Sequence, residues 1–367
     1  MKLKLKNTPE QVELIKAMAS KNATTSREAQ EAFAAFLGPV IQKVLNQAGT
    51  ASAIYTDAAY DEDDSPSYPL DLYYDEADNF VTVWSQSIAG GLPTSHVEGM
   101  KELKISTYRL DSAVSFLKKY ARRGRLDVVS KAVERMAQEV LVKQERNAWA
   151  VILKALGEAT TKGNKHTVAS NTANTFQVDD LNKLMTRMKR INESFANGTP
   201  DFAYSQGITD LYVSPEIKEQ IRAFAYQPMN TRNGAANSAG NVALPDNVRE
   251  EIFRAAGTQE IYGVNIVELN ELGDAKKYNT LFGEFDTAGI AHGGGNFNTS
   301  TDQILVGIDN SRGAFIRPVA QQAESGGQFV SLPDDQFSMR SDKVAFYGFL
   351  EEGRVCIDSR AVVGIIV

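Results

Sequence analysis

One stretch of the sequence decides the fold: residues 125–156, which read RLDVVSKAVERMAQEVLVKQERNAWAVILKAL. Apolar residues recur in it at every third or fourth position, as on one face of an α-helix. They are Leu126, Val129, Val133, Met136, Val140, Trp149, Ile152, Leu153 and Leu156. Lys143 and Gln144 interrupt this stripe, but no glycine or proline does, so the pattern predicts one unbroken helix that Gly157 ends. At 1.5 Å per residue it would span about 48 Å, which is typical of a strut.

Two shorter amphipathic helices are predicted near the N-terminus. Thr8, Pro9 and Gln11 form a start signal for the first: a capping residue, a proline at the first helical position and a capping-box glutamine. Thr25 opens the same signal for the second helix, which Pro39 is expected to kink. The apolar face of the second helix carries Phe33, Phe36, Leu37, Val40, Ile41, Val44 and Leu45. No third segment nearby in the sequence offers these faces a partner.

An acidic segment follows in which apolar residues recur at neither helical nor strand spacing, so we expect a solvated loop over 57–64. Its carboxylates are Asp57, Asp61, Glu62, Asp63 and Asp64. The run 61–64 could hold a hard cation, but adjacent carboxylates point in different directions, whereas a metal site needs ligands that converge. The solvated loop is therefore the preferred interpretation.

Strand-forming residues then surround a turn signal at 89–93, AGGLP. Those before the turn are Tyr73, Tyr74, Phe80, Val81, Val83 and Trp84, and those after it are Ile105, Thr107 and Tyr108. The pattern predicts a long β-hairpin over 66–110 with a broad tip near 86–99. Little in the hairpin could form a core of its own, so we expect it to rest on a neighbouring molecule.

Helices and strands alternate after the long helix. Further helices are predicted at 179–192, after Ser214-Pro215, and at 247–256. Strands are predicted at 211–213, 261–268, 280–285, 303–309 and 313–319, with two or three more in the last 25 residues, and 228–245 is expected to be an exposed loop. This mixture of segments predicts an α+β fold.

Composition limits the classes of protein to consider. Apolar residues make up 43% and charged residues 23%, which excludes a disordered chain. The net charge of −7 argues against a protein that wraps nucleic acid with its whole surface. The single cysteine, Cys356, excludes an internal disulfide and indicates a reducing cytoplasm. Neither a membrane span nor a secretion signal is expected, because long apolar runs are lacking.

Known catalytic motifs are absent from the sequence. His292 opens a glycine run that resembles the oxyanion-hole loop of some esterases, but no G-x-S-x-G pentapeptide accompanies it. Phosphate-binding loops and histidine pairs with zinc spacing are also missing. Cys356 lies between Val355 and Ile357 and is interpreted as a small buried residue. We therefore expect no enzyme, no cofactor and no metal, with a cytoplasmic hydrolase that uses the His292 loop as an alternative.

A basic cluster stands before the long helix in this acidic protein. It consists of Lys118, Lys119, Arg122, Arg123 and Arg125. Five positive charges within eight residues could contact DNA phosphates or an acidic neighbouring chain. A solvated entry to the helix is the other interpretation, because most runs of charge are merely solvated.

The order of these segments resembles that of the major capsid proteins of tailed bacteriophages with the HK97 fold. The hairpin and the long helix resemble that family's E-loop and spine helix. Further segments carry the resemblance. The segment 211–215 and the pair 261–267 and 281–286 resemble strands and a proline-capped helix of its A-domain, and 339–345 and the final strand, 361–367, resemble its P-domain strands. The resemblance covers about 65–367 and rests on order and spacing. Departures are Asn265 and Ser359-Arg360 where proline is usual, and Glu284 where aspartate is usual.

The resemblance implies an HK97-like capsid fold with four parts. These are N-terminal helices and an arm over 1–65, the E-loop over 66–110, the P-domain with the spine helix over 111–175 and 320–367, and the A-domain over 176–319. It also implies a structural subunit that assembles as hexamers and pentamers into an icosahedral shell around phage double-stranded DNA. Its location would be the virion, and the host cytoplasm during assembly. Portal and scaffolding or decoration proteins are the implied partners, without a membrane.

The same resemblance implies where neighbouring subunits meet. Candidate contacts between subunits are Trp84 in the hairpin, Phe33 and Phe36 in the N-terminal segment, and the basic cluster. For the cluster we expect salt bridges between subunits more than DNA binding, with the run 61–64 among the acidic partners. An encapsulin-type compartment, which shares the fold but encloses enzymes, remains the closest alternative.

Overall fold

The computed structural model describes residues 8–47, 49–61, 64–69, 102–161, 164–191, 207–223, 229–230, 241–242, 247, 250, 260–285, 287–321, 329–334 and 342–367. The chain forms two compact units. The first comprises Met1–Tyr68, Lys104–Ala148 and Phe315–Val355, and the second comprises Pro69–Leu103, Trp149–Ala314 and Cys356–Val367. These units divide the chain at other positions than the four parts expected from the resemblance, which remain a proposal.

The helices whose bounds the structure gives are α1 (Pro9–Met18), α2 (Ala23–Gln47), α3 (Lys118–Arg122), α4 (Leu126–Glu158), α5 (Val178–Ile191), α6 (Pro215–Ala223) and α7 (Lys277–Gly283). The strands are β1 (Thr56–Asp61), β2 (Ser67–Pro69), β3 (Glu102–Lys104), β4 (Tyr108–Leu117), β5 (Thr160–Thr161), β6 (Asn164–Lys165), β7 (Thr167–Ala169), β8 (Asp210–Val213), β9 (Met229–Asn230), β10 (Asn241–Val242), β11 (Glu260–Ile261), β12 (Val264–Glu268), β13 (Ile304–Ile308), β14 (Phe315–Gln321), β15 (Phe329–Pro333), β16 (Lys343–Glu352), β17 (Val355–Cys356) and β18 (Val362–Ile366). Helices are present together with strands that pair both parallel and antiparallel, so the α+β class is confirmed. No helix among these residues is long and apolar enough to cross a bilayer.

The long helix exists as predicted. It is α4, an unbroken helix of 33 residues. Gly157 lies inside its last turn rather than beyond its end. The predicted stripe is its buried side: Val129 and Val133 are at most 1% exposed, and Trp149 is 0% exposed. The boundary between the two units falls within this helix, after Ala148.

The first unit is built on a sheet whose central strand is β16. This strand pairs antiparallel with β4 along all ten residues of each, and with β15 on its other side. One face of the sheet packs against α1, α2 and the first part of α4. Phe346 of β16 lies in the middle of that core, with its ring centroid 5.2 Å from that of Phe33 and 6.1 Å from that of Phe116. At Gly348 a Cβ would lie 2.4 Å from the side chains of Met136 and Phe329, so the close approach of helix and strand requires glycine.

The N-terminal helices therefore find their partner inside their own unit. Sequence analysis found none nearby, because the sheet that covers them is formed by residues about 80 to 300 positions further along the chain. The second helix also begins earlier than predicted: the helix starts at Ala23, and the Asn22 side chain accepts the N–H of Thr24 at 3.2 Å. Thr25, the predicted cap, is already helical.

The prediction of a solvated loop over 57–64 is wrong for its first five residues. Thr56–Asp61 is strand β1, which pairs parallel with β14 along its whole length. Its side chains are mostly exposed, as expected for an edge strand. Because exposed positions do not require apolar residues, the sequence shows no apolar alternation there. Asp57 forms an ion pair with Arg317 at 3.3 Å, which offsets the cost of a charge in the strand.

The C-terminal end of the predicted hairpin also needs correction. Residues 108–110 begin β4 and belong to the main sheet of the first unit, because their side chains alternate between the core and solvent in register with β16. Strands β2 and β3 pair with each other at the base of the predicted hairpin. Residues 70–101, which include Trp84 and the predicted tip at 86–99, lie outside the described residues.

The second unit is built on a six-stranded sheet in the order β11-β12-β8-β13-β18-β7. Helices α5 and α6 pack on it, and their apolar faces and the central strands form one core. Ser214 caps α6 as predicted, because its Oγ accepts the N–H of Ile217 at 3.2 Å. Trp149 of α4 contacts two tyrosines in this unit, with ring centroids 4.9 Å from Tyr212 and 5.7 Å from Tyr278.

Two predicted strands of the second unit have a different structure. Residues 280–285 are not a strand, since 277–283 form helix α7. Tyr278 and Phe282 lie four residues apart, so a helix buries both rings on one face. This burial outweighs the preference of aromatic residues for strands. The predicted strand 261–268 is a hairpin, β11 and β12, closed by Tyr262 and Gly263. Within 228–245, strands β9 and β10 pair; the predicted helix 247–256 lies almost wholly outside the described residues.

Candidate functional site

The basic cluster lies on α3 and on the turn that leads into α4. Arg122 forms an ion pair with Asp342 at 3.7 Å, and Arg125 forms one with Asp127 at 3.8 Å. All four side chains are more than half exposed, so each pair stabilises the unit by about 0–1 kcal/mol. Part of the cluster is thus balanced within its own unit.

Lys119 and Arg123 of this cluster remain available for ion pairs with a partner molecule. Both are exposed and form no ion pair within the part of the chain that the structure describes. They are four residues apart, a spacing that places both side chains on one side of a helical turn. If the cluster contacts a negatively charged partner, these are the two residues that are free to do so.

The two N-terminal phenylalanines occupy different environments. Phe33 is 3% exposed and packs in the core of the first unit, whereas Phe36 is 48% exposed. The core leaves no surface of Phe33 for a second subunit, so its role is corrected to packing within its own unit. Phe36 remains a candidate contact, and Trp84 lies outside the described residues.

Two residues of the acidic run, Asp61 and Asp64, are among those that the structure describes. Asp61 ends β1, and the Asp64 carboxylate accepts the N–H of Ser65 at 2.8 Å. Residues 62–63 are not among those described. Within the described ranges, no group of three or more His, Cys, Asp or Glu side chains could hold a metal ion.

His292 and Cys356 are placed where neither is activated. His292 is exposed, and its Nε2 lies 3.3 Å from the backbone oxygen of Asn171 rather than beside a hydroxyl or thiol. Burial raises the pKa of the Cys356 thiol to about 12, so the reactive thiolate is disfavoured at neutral pH. Neither residue forms a nucleophile–base pair with another described residue.

A buried ionic network in the first unit was not found by sequence analysis. Glu352 is 0% exposed, and its Oε2 accepts hydrogen bonds from Arg317 Nε at 2.7 Å and Gln144 Nε2 at 3.0 Å. Its Oε1 accepts one from the Tyr108 hydroxyl at 2.8 Å, and Arg354 lies 3.4 Å away. Burial and the charge of Glu352 raise the pKa of Tyr108 to about 12. One carboxylate therefore joins β4, β14, β16 and α4.

The same network extends to the segment between α2 and β1. The guanidinium of Arg354 lies over the ring of Tyr55 at 4.8 Å, and the Tyr55 hydroxyl donates to the backbone oxygen of Ala148 at 3.0 Å. Glu145 accepts hydrogen bonds from Thr50 Oγ1 at 3.0 Å and from the N–H of Ala51 at 3.1 Å. Strand parity could have shown that Glu352 is buried, because it shares the buried face of β16 with Phe346, but it could not have identified the partners.

The second unit holds a buried histidine. His166 is 0% exposed, and its Nδ1 lies 3.1 Å from the backbone oxygens of Ser359 and Val362. Burial lowers its pKa below 6.5, and the nearby positive charge of Arg187 acts in the same direction. The hydrogen bonds and the charge of Asp358 oppose this shift without reversing it.

The burial of His166 predicts that acid lowers the stability of the second unit. Below pH 6.5 the unfolded chain binds a proton that His166 resists in the folded state, so the free energy of unfolding should fall as the pH drops through that range. The loss amounts to about 1.4 kcal/mol per unit of pKa lowering. The His166→Gln variant should lack this part of the loss when its free energy of unfolding is measured in urea at pH 8 and at pH 5. The exposed control His292→Gln should retain it, and an equal loss in both variants would contradict the prediction.

No family model matches the sequence, and no curated protein matches it significantly. Solved structures resemble the fold along most of its length. A capsid structure of the cyanophage P-SCSP1u is 13% identical, with a TM-score of 0.51 over 85% of this chain and 86% of that one. The mature capsid of bacteriophage PhiM1 is 11% identical, with a TM-score of 0.50 over 86% of both chains. The capsid of a native GTA particle is 13% identical, with a TM-score of 0.51 over 86% of this chain and 90% of that one. The chain thus has the HK97-like fold of these capsid subunits.

Proposed function

We propose that this chain is the major capsid protein of a tailed double-stranded DNA bacteriophage, a structural subunit that assembles into an icosahedral shell. The observation that carries the proposal is the likeness to three capsid structures over at least 85% of every chain compared. A fold can host several functions, so the likeness alone identifies the architecture, and the function needs support from the residues.

Features of this chain support a shell subunit. The described residues contain no group of three or more His, Cys, Asp or Glu side chains that could hold a metal ion, and burial disfavours the thiolate of Cys356. They do place large apolar side chains on the surface, such as Phe36 at 48% and Leu332 at 48% exposure. In the proposed shell, neighbouring copies would cover such side chains and remove their apolar surface from water. Shells of hexamers and pentamers, the virion location, portal and scaffolding or decoration partners and packaged DNA form part of this proposal.

Electron microscopy of the purified protein tests the proposal. We expect icosahedral shells or ring-shaped capsomers, and nuclease-resistant double-stranded DNA in particles from infected cells. A soluble small oligomer with esterase activity that depends on His292 would contradict the proposal and favour a hydrolase. Closed shells that contain an enzyme and no DNA would instead favour an encapsulin-type compartment.

We further propose that Lys119 and Arg123 form salt bridges with acidic residues of a neighbouring subunit. Reversal of both charges in Lys119→Glu/Arg123→Glu should raise the protein concentration for half-assembly about tenfold at low salt, because like charges then meet at the contact. The effect should shrink as salt screens these charges. Light scattering against protein concentration at several salt concentrations measures it.

A matched control is Lys131→Glu/Arg135→Glu, which reverses two exposed charges with the same spacing on α4. We expect it to change the concentration for half-assembly less than about twofold. If the double reversal at 119 and 123 leaves empty shells unchanged and lowers only DNA packaging, the cluster binds DNA rather than a neighbouring subunit.

A further inference from the structure

The turn between β11 and β12 holds a residue poorly suited to it. Tyr262 and Gly263 form a two-residue hairpin loop with φ of +54° and +78°. A loop with two positive φ angles is a type I′ turn, which favours Asn-Gly or Asp-Gly. Among the residues that the structure describes, Tyr262 is the only aromatic residue with positive φ. A bulky side chain is unfavourable in this conformation, because its Cβ approaches the backbone.

The surrounding sheet imposes this conformation. Ile261 pairs with Val264 directly across the turn, and β12 pairs parallel with four residues of β8. Val264 is 1% exposed and packs in the core of the second unit. The side chain of Asn265 also donates to Asp210 at 2.8 Å. A shift of the turn would therefore disturb a buried strand, so the strain at Tyr262 is retained.

Tyr262 is more exposed than buried in its own unit. It is 58% exposed, the largest value among the exposed large hydrophobic side chains of the described residues. The space beside Gly263 is open, since a Cβ there would have no atom within 4 Å. The turn thus presents an exposed aromatic ring at the end of the paired strands β11 and β12.

We propose that Tyr262 is a contact between copies of this chain, and that its ring packs against a neighbouring subunit. Strained backbone is often found at binding surfaces, and the strain at Tyr262 fixes where the aromatic side chain leaves the sheet. In a shell, the molecule that every copy meets is a second copy, so the inference rests on the proposed function. Tyrosine is enriched at the energetically dominant positions of interfaces, and a ring held in one place loses little entropy on binding.

Two substitutions distinguish the effect of backbone strain on stability from the effect of the aromatic ring on assembly. Tyr262→Asn suits the type I′ turn and removes the ring, so the unassembled subunit should unfold about 2–4 °C higher. Its concentration for half-assembly should rise at least about tenfold. Tyr262→Phe keeps both the ring and the strain, and it should match the wild type within about twofold in assembly. Thermal unfolding and light scattering of the full chain measure both effects.

The outcomes are distinguishable. If Tyr262→Asn assembles at the wild-type concentration while the wild type forms shells, the inference is wrong and the proposed function stands. If the wild type forms no shells or capsomers, the proposed function fails and the inference fails with it. If Tyr262→Asn unfolds at a lower temperature, Tyr262→Asp repeats the test with the other residue that the turn favours, and normal assembly of that variant also overturns the inference.

Discussion

Replacement of Glu352 by alanine is expected to lower the free energy of unfolding of the first unit by about 3–5 kcal/mol. The side chain is 0% exposed, and it neutralises Arg317 and Arg354, whose side chains are 8% and 6% exposed. Without the carboxylate, two buried guanidinium groups lose their shared partner, and the hydroxyl of Tyr108 loses its acceptor. Urea unfolding followed by circular dichroism measures the change.

The control for this experiment is Glu31→Ala on α2. Glu31 forms an exposed ion pair with Arg27 at 2.9 Å, so its loss should cost less than about 0.5 kcal/mol. A loss of similar size in both variants would show that the network of Glu352 contributes no more than a surface pair. That result would contradict the interpretation that Glu352 holds β4, β14, β16 and α4 together.

Replacement of Phe33 by alanine should destabilise the first unit by about 3–5 kcal/mol, because it opens a cavity in a packed core. Phe33 is 3% exposed and lies against Phe346, which is itself 0% exposed. The same variant tests whether the N-terminal helices belong to the folded subunit before assembly. The unassembled protein is therefore the sample, and chemical unfolding is the measurement.

Phe36→Ala is the matched control on the same helix, three residues away and 48% exposed. It should change the free energy of unfolding by no more than about 0.5 kcal/mol. If Phe36 contacts a neighbouring subunit, as proposed, this variant should assemble only at higher protein concentration. A Phe33→Ala subunit as stable as the wild type would mean that α1 and α2 join the core only in the shell.

Local patterns in the sequence determined the elements that lie within one continuous stretch. α4 could be predicted because its apolar residues repeat at helical spacing on both sides of the interruption at Lys143 and Gln144, and no glycine or proline falls in that gap. The cap of α6 could be predicted because Ser214 and Pro215 act on the residues that directly follow them. The basic cluster and the lack of catalytic motifs are also visible without a structure. The mixture of predicted segments sufficed for the α+β class, and their order and spacing sufficed for the resemblance to capsid proteins.

Elements that depend on distant partners were decided by the tertiary structure. β1 has no apolar period, since it is an edge strand, and only its pairing with β14, some 260 residues away, makes it a strand. α7 was predicted as a strand because aromatic residues favour strands, but the burial of Tyr278 and Phe282, four residues apart, selected the helix. Phe33 and Phe36 look alike in the sequence, but the sheet covers only the first of them.

The same division holds for the residues that carry the proposals. Glu352 is one of many carboxylates in the sequence, and only the fold brings Arg317, Gln144 and Tyr108 to it from three other elements. Tyr262 is an ordinary residue before a glycine until the register of β11 and β12 forces it to positive φ. The sequence by itself determined helix periods, the cap of α6 and charge, because these act over a few residues. Burial, ion pairing and backbone strain were decided by the tertiary structure, because they depend on segments that meet only after the chain has folded.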